Sequence, residues 1–116
     1  MSTKELTKIP GLPEEEVVVI KKLGYGSLNK LRSKSTKTSV NVQTGQTGTE
    51  IDLGEYMKWV LVFGIKSAKF FDGKGTSEER ANAIDMDCIS GETGEFLYKE
   101  IQAFNGFEQV QELKKK

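Results

Sequence analysis

Apolar residues in the first third of the chain follow the spacing of β-strands. Four consecutive β-branched residues, Val17 to Ile20, lie within the segment 15–23 and predict a strand, because branching at Cβ disfavours a helix. The segment 38–42 alternates polar and apolar residues and predicts a second strand with its two valines on one face. The sequence leaves open whether these two strands pair with each other.

Most of the remaining chain has the 3.6-residue spacing of amphipathic helices. A short helix is predicted over 27–34, and longer helices are predicted over 52–71, 76–90 and 95–106. The central helix is the most apolar, so we expect it to be mostly buried. Its main apolar stripe consists of Tyr56, Trp59, Val60 and Phe63.

Start and stop signals accompany these helices. Ser27 is the predicted N-cap of the short helix. Asp52 with Glu55, and Thr76 with Glu79, have the spacing of a capping box, in which the cap and the third helical residue exchange hydrogen bonds. The pair Asn105-Gly106 predicts a left-handed C-terminal cap on the last helix.

This layout predicts an α+β fold in one domain. A short N-terminal β-hairpin and a short basic helix are expected to pack on a C-terminal three-helix bundle. The predicted parts are a flexible N-terminal arm over 1–13, a globular domain over 14–113 with a mobile loop at 35–50, and a basic tail at 114–116. The arm is predicted because Pro10 and Pro13 oppose regular structure.

The charged residues are segregated along a chain whose formal net charge is zero. The stretch from Val17 to Thr49 has six basic residues and no acids, and it forms the candidate basic patch: Lys21, Lys22, Lys30, Arg32, Lys34 and Lys37. The stretch from Thr76 to Leu113 has nine acids against Arg80 and Lys99. Such segments can attract each other within one fold, stack molecules head to tail, or bind partners of both signs.

Residues suited to catalysis or metal binding are scarce. The chain has no histidine, which removes the commonest general base and metal ligand. Its single cysteine, Cys88, shares a predicted inner helical face with Ala81 and Ile84 and is interpreted as a structural thiol. Asp85 and Asp87 point in different directions on a helix. We therefore expect a non-enzymatic protein without cofactor or metal.

The cellular location is predicted by looking for segments that would direct the chain to a membrane or out of the cytoplasm. The N-terminal segment has no apolar run of the kind found in signal peptides. The longest apolar run, 59–65, is far shorter than the about 20 residues of a membrane span. One cysteine allows no intramolecular disulfide and suits a reducing compartment. A cytoplasmic protein that does not enter membranes is expected.

Nucleic-acid binding is the less favoured of the binding functions. The basic segment 21–37 includes Tyr25 and could make phosphate contacts. However, the chain as a whole is neutral with a sequence pI of about 6.3, and the segment lacks a pattern of stacking aromatic residues. A nucleic-acid partner is therefore not expected, although a small nucleic-acid-binding regulator stays open as an alternative.

The order of segments resembles a known family. The opening "IPGLPEEEVVVIKKLGYGSLNKLRSK", a polar loop, the helix "DLGEYMKWVLVFGI" and the closing "SGETGEFLYKEIQAFNGFEQ" resemble the small tail assembly chaperones of long-tailed bacteriophages and related proviruses. In that family a V-x-I-x-x-L strand precedes a short helix. The last helix is apolar and acidic, and it ends in NG or SG plus an apolar residue, which corresponds here to Phe96 through Phe107.

The resemblance implies a role without catalysis. Such chaperones bind the tape-measure protein, keep its long apolar helix soluble and recruit tail-tube subunits around it. By analogy, the partner-binding face would consist of Phe96, Leu97, Ile101, Phe104 and Phe107. The same residues could instead fill the protein's own core. A small structural component of the virion, such as a connector, completion or tail protein, is the first alternative function.

The resemblance also gives the three terminal lysines an interpretation. The family often makes a longer form by a programmed frameshift near the end of the gene, at slippery heptamers that are rich in A. Lys114 to Lys116 can be encoded by such triplets, and the chain would then be the short form. Without the resemblance, these lysines are expected to form a solvated tail, and self-association of the domain remains possible.

Overall fold

The computed structural model describes residues 2–40, 45 and 47–106, which form a mixed α+β fold and confirm the predicted class. These residues form a three-stranded antiparallel sheet, a separate two-stranded hairpin and four α-helices. In chain order the elements are β1 (Thr3–Leu6), β2 (Val18–Lys21), α1 (Tyr25–Ser35), β3 (Thr36–Val40), β4 (Thr47–Ile51), α2 (Leu53–Gly64), β5 (Ile65–Ser67), a 3-10 turn (Lys69–Phe71), α3 (Ser77–Asp85) and α4 (Gly91–Asn105).

The N-terminal segment, predicted to be a flexible arm, instead contributes strand β1. β1 pairs antiparallel with β2, and Leu6 lies opposite Val18. Leu6 and Ile9 are both buried, so the segment gains enough apolar contact to be held on the sheet. The prolines interrupt regular structure only after β1 ends.

Strand β3 forms a hairpin with β4 and does not join the main sheet. β2 already has β1 on one edge and β5 on the other, so no edge of β2 is open to β3. The hairpin occupies part of the predicted mobile loop 35–50, and residues 41–44 and 46 lie outside the described residues. The backbone N–H of Asp52 donates to the Ser35 carbonyl at 2.7 Å and closes the base of the hairpin.

Helix α2 is shorter than predicted. It begins as expected, since the Asp52 side chain accepts a hydrogen bond from the Glu55 N–H, but it ends at Gly64 and not at Phe71. Ile65 turns into extended backbone and pairs with Ile20 in the sheet. The prediction of one helix to Phe71 was wrong because an apolar run can be buried in a strand as well as in a helix.

The last two helices keep their predicted caps but not their predicted lengths. Thr76 and Glu79 form the complete capping box of α3, which ends at Asp85. Helix α4 begins earlier than expected, because Ser90 caps it by accepting a hydrogen bond from the Thr93 N–H. Gly106 ends α4 in the left-handed conformation, with φ of 77°, as the Asn-Gly pair predicts.

Both ends of α4 are hydrogen-bonded to backbone groups of the first 23 residues. The buried hydroxyl of Thr93 donates to the Pro10 carbonyl at 2.6 Å. At the other end, the Asn105 side-chain oxygen accepts from the Leu23 N–H at 2.7 Å. The core between these two points is filled by fully buried residues of the sheet and of two helices: Val18, Ile20, Val60, Ile65, Leu97 and Ile101.

Candidate interaction surfaces

The residues predicted to form the partner-binding face of α4 have different positions in the fold. Leu97 and Ile101 are fully buried in the core, so a partner cannot reach them while α4 is in place. Phe96 and Phe104 are partly buried and pack against the same core. Phe107 lies outside the described residues. Within the described chain, the stripe on α4 therefore contributes mainly to the interior.

The basic patch is spread over several elements. Lys21 and Lys22 lie at the end of β2, whereas Lys30, Arg32 and Lys34 lie on α1. Lys37 belongs to β3, and its side chain lies outside the described part of the chain. The structure thus distributes the patch over the end of β2, helix α1 and strand β3.

Two of the basic side chains make contacts within the protein. The Lys34 ammonium lies 3.5 Å from a carboxylate oxygen of Glu78 and 4.9 Å from the centre of the Trp59 ring. Lys22 lies over the Phe104 ring at 5.5 Å. Through these cation–π and ionic contacts, part of the positive charge of the basic patch interacts with groups of the protein itself. These contacts weaken the attraction of the basic patch for phosphate groups.

Residues of three helices line an open groove beside α2. It has a volume of about 800 Å³ and lies between the start of α2, the end of α3 and the start of α4. Its floor is apolar and includes Met57, Leu61 and Ile84. We call this surface the acidic groove, because its rim carries Asp52, Glu55, Asp85, Glu92 and Glu95.

Lys58 is the single basic residue among the described residues that line the acidic groove. Its ammonium lies 3.1 Å from Glu55 and 3.2 Å from Asp85, and its side chain is only 14% exposed. Burial lowers the pKa of Lys58, but hydrogen bonds to Glu55 and Asp85 more than offset this and raise the pKa above its ordinary value. Lys58 therefore stays charged and links α2 to α3.

Small residues line the acidic groove, and exposed apolar residues lie next to it in the chain. A Cβ atom placed on Gly94 would lie 3.6 Å from Ile89 and 3.9 Å from Leu61, so a side chain added there would pack over this part of the groove. Two apolar residues that are chain neighbours of groove residues are largely exposed, Leu53 at 63% and Met86 at 82%. Exposed Leu and Met beside a concave apolar floor are typical of binding surfaces.

The described residues offer no arrangement suited to metal binding. No group of three or more histidine, cysteine or acidic side chains in this part of the chain could hold a metal ion. Cys88 is half-buried, and burial raises the pKa of its thiol, so the thiol is a poor nucleophile at neutral pH.

The acidic groove was not predicted from the sequence. The acids of its rim belong to the acidic stretch that was recognised, but their position beside Met57 and Leu61 depends on how α2 packs against α4. One local signal was available. Gly91 with Gly94, and Glu92 with Glu95, repeat at a spacing of three, which places glycines together and acids together on a helix surface.

Comparison with known protein families, with curated proteins and with solved structures gives no match for this chain. The fold and its surfaces therefore define only a general class, a mixed α+β protein with an acidic, apolar-floored groove. Within the residues that the structure describes, none of the helices is both long enough and apolar enough to cross a bilayer.

Proposed function

We propose that this protein is a non-enzymatic morphogenesis factor of a bacteriophage tail. In this role it acts in the host cytoplasm as a chaperone that binds the tape-measure protein and recruits tail-tube subunits. The observation that carries the proposal is the acidic groove, an open apolar surface formed by three packed helices. Grooves of this type accept the apolar face of a partner helix, which a chaperone for a long helical client must cover.

The groove is a better client site than the stripe on α4. Leu97 and Ile101 would have to leave the core before a client could contact them, and exposing two fully buried side chains would cost several kcal/mol. Met57 and Ile84 line the groove without any rearrangement. The order of segments along the chain, which resembles the tail assembly chaperones, supports the same role independently of the groove.

Co-expression with the tape-measure protein of the same phage or provirus tests this function. We expect the tape-measure protein to be soluble with this chain and to aggregate without it. Gly94→Leu should abolish this effect by filling the groove, because the added atoms extend over Leu61. Gly26→Leu is the matched control, since a Cβ at Gly26 meets no atom within 4 Å. Circular dichroism checks that both variants fold.

The composition of purified particles separates this function from the structural alternative. A chaperone should be missing from mature tails, whereas a connector, completion or tail protein should copurify with them in a fixed ratio. Stoichiometric incorporation into particles, or a tape-measure protein that is equally soluble without this chain, would contradict the proposed function.

A further inference from the structure

The charge of the acidic groove specifies more about a partner than its apolar floor does. Among the residues that the structure describes, five carboxylates and one ammonium line the groove, which corresponds to a formal charge of −4. The ammonium of Lys58 is already held by Glu55 and Asp85. An apolar floor attracts any apolar helix, but a rim of net negative charge selects among such helices by charge.

The acids border the apolar floor on two sides. Glu92 and Glu95 lie on the first turns of α4, whereas Asp52 and Glu55 lie at the start of α2. Met57 and Leu61 line the same groove from α2, the helix that carries one of these rims. A ligand seated on the floor would therefore have carboxylates along both flanks.

We propose that the acidic groove binds an amphipathic helix whose apolar face is flanked by lysine or arginine residues. The apolar face would cover Met57, Leu61 and Ile84, and the flanking cations would pair with the two acidic rims. Met86, exposed beside the groove, has a flexible thioether that can adapt to different apolar side chains. This inference rests on the interaction role proposed above and adds the chemistry of the segment that is bound.

Other occupants fit the groove less well. Phosphate groups and nucleic acids would be repelled by a charge of −4. A second copy of this chain could offer its basic helix α1, but Leu31 of that helix is buried and Leu28 is half-buried in its own fold. Helix α1 therefore presents positive charge without the apolar face that the floor requires.

Two synthetic peptides of about 18 residues, long enough to form a helix, test the inference with the purified full chain. Both carry leucine at helical spacing, and the other positions are lysine in one peptide and glutamate in the second. Fluorescence anisotropy of labelled peptide should show the leucine-lysine peptide binding at least about tenfold more tightly. Added salt should weaken this binding, because the charges on the rim are exposed to solvent.

Variants of the groove locate the binding. Gly94→Leu should weaken binding of the leucine-lysine peptide by about tenfold or more, since it covers part of the apolar floor. Glu92→Gln with Glu95→Gln should weaken it several-fold. Glu5→Gln with Glu14→Gln is the matched control, because it removes the same charge from exposed residues outside the groove, and it should leave binding unchanged.

Several results would overturn the inference. Equal affinity for the two peptides would exclude selection by charge, and binding unaffected by Gly94→Leu would place the peptide elsewhere. A dimer in sedimentation experiments that Gly94→Leu abolishes would assign the groove to a second copy of the chain. The chaperone function and the binding of a basic amphipathic helix can be contradicted independently of each other. A chain that binds the leucine-lysine peptide but does not solubilise the tape-measure protein keeps the groove chemistry and loses the proposed function.

Discussion

Tyr98 on α4 shows how a single partly buried side chain links stability to pH. Its hydroxyl accepts a hydrogen bond from the Gln102 side-chain amide at 2.9 Å, and its ring meets the edge of Tyr56 with centroids 6.3 Å apart. Burial raises the pKa of Tyr98 to about 12, and the neighbouring Tyr56 acts in the same direction. The folded state therefore holds the phenol proton more tightly than the unfolded state does.

The free energy of unfolding should fall as the pH rises from 10.0 to about 12. The stabilising contribution of Tyr98 is fully present below its ordinary pKa of 10.0 and is lost as the pH approaches the folded-state value, because the unfolded state releases the proton first. Denaturant titrations across this window should show a smaller loss for Tyr98→Phe. Tyr25→Phe, at a side chain that is 80% exposed, is the matched control. If the free energy of unfolding of Tyr98→Phe falls with pH as steeply as that of the native chain, this account is wrong.

At the scale of elements, the end of α2 depends on a close approach between two helices. A Cβ atom on Gly64 would lie 2.6 Å from one methyl carbon of Ile101 and 3.0 Å from the other. Ile101 is fully buried, so its side chain has little room to move away. Glycine at this position lets α4 pack directly against the backbone of α2 just before the chain enters β5.

Gly64→Ala should destabilise the protein by about 1–3 kcal/mol, the usual cost of overpacking, despite the better helix propensity of alanine. Thermal or denaturant unfolding measures this change. Gly26→Ala is the control, because a Cβ there is unobstructed and should be neutral or stabilising. Ile101→Ala should cost less in the Gly64→Ala background than in the native chain, and strict additivity of the two changes would contradict the contact.

The elements that the sequence predicted well are those with local signals. The capping box of Thr76 and the left-handed cap at Gly106 depend on a few neighbouring residues, and both were found. The end of α2 was missed because Ile65 pairs with Ile20, which lies far away along the chain. β1 and the acidic groove were missed for the same reason, since strand pairing and helix packing, and not local spacing, form them.

At the scale of the whole molecule, the two oppositely charged segments meet within one fold. Lys34 of α1, in the basic stretch, pairs with Glu78 of α3, in the acidic stretch. Lys4 of β1, which precedes the basic stretch, lies 3.7 Å from Glu100 of α4. Pairs this exposed contribute about 1 kcal/mol at most, so their main effect is to neutralise charge over the surface. The acids among the described residues of the groove outnumber its basic side chain, Lys58, and form a separate negative region, which favours a basic protein partner.

This distribution of charge predicts that the protein does not bind nucleic acid. A neutral chain whose Lys34 is paired with Glu78 lacks the net attraction that phosphate binding requires. In a gel-shift assay with labelled duplex DNA, we expect no complex even at low salt. The opposite result has a defined signature, namely an affinity that falls steeply with salt and is lost when Lys30, Arg32 and Lys34 are all replaced by alanine. That signature would make the basic patch the functional surface and would replace the chaperone by a nucleic-acid-binding regulator.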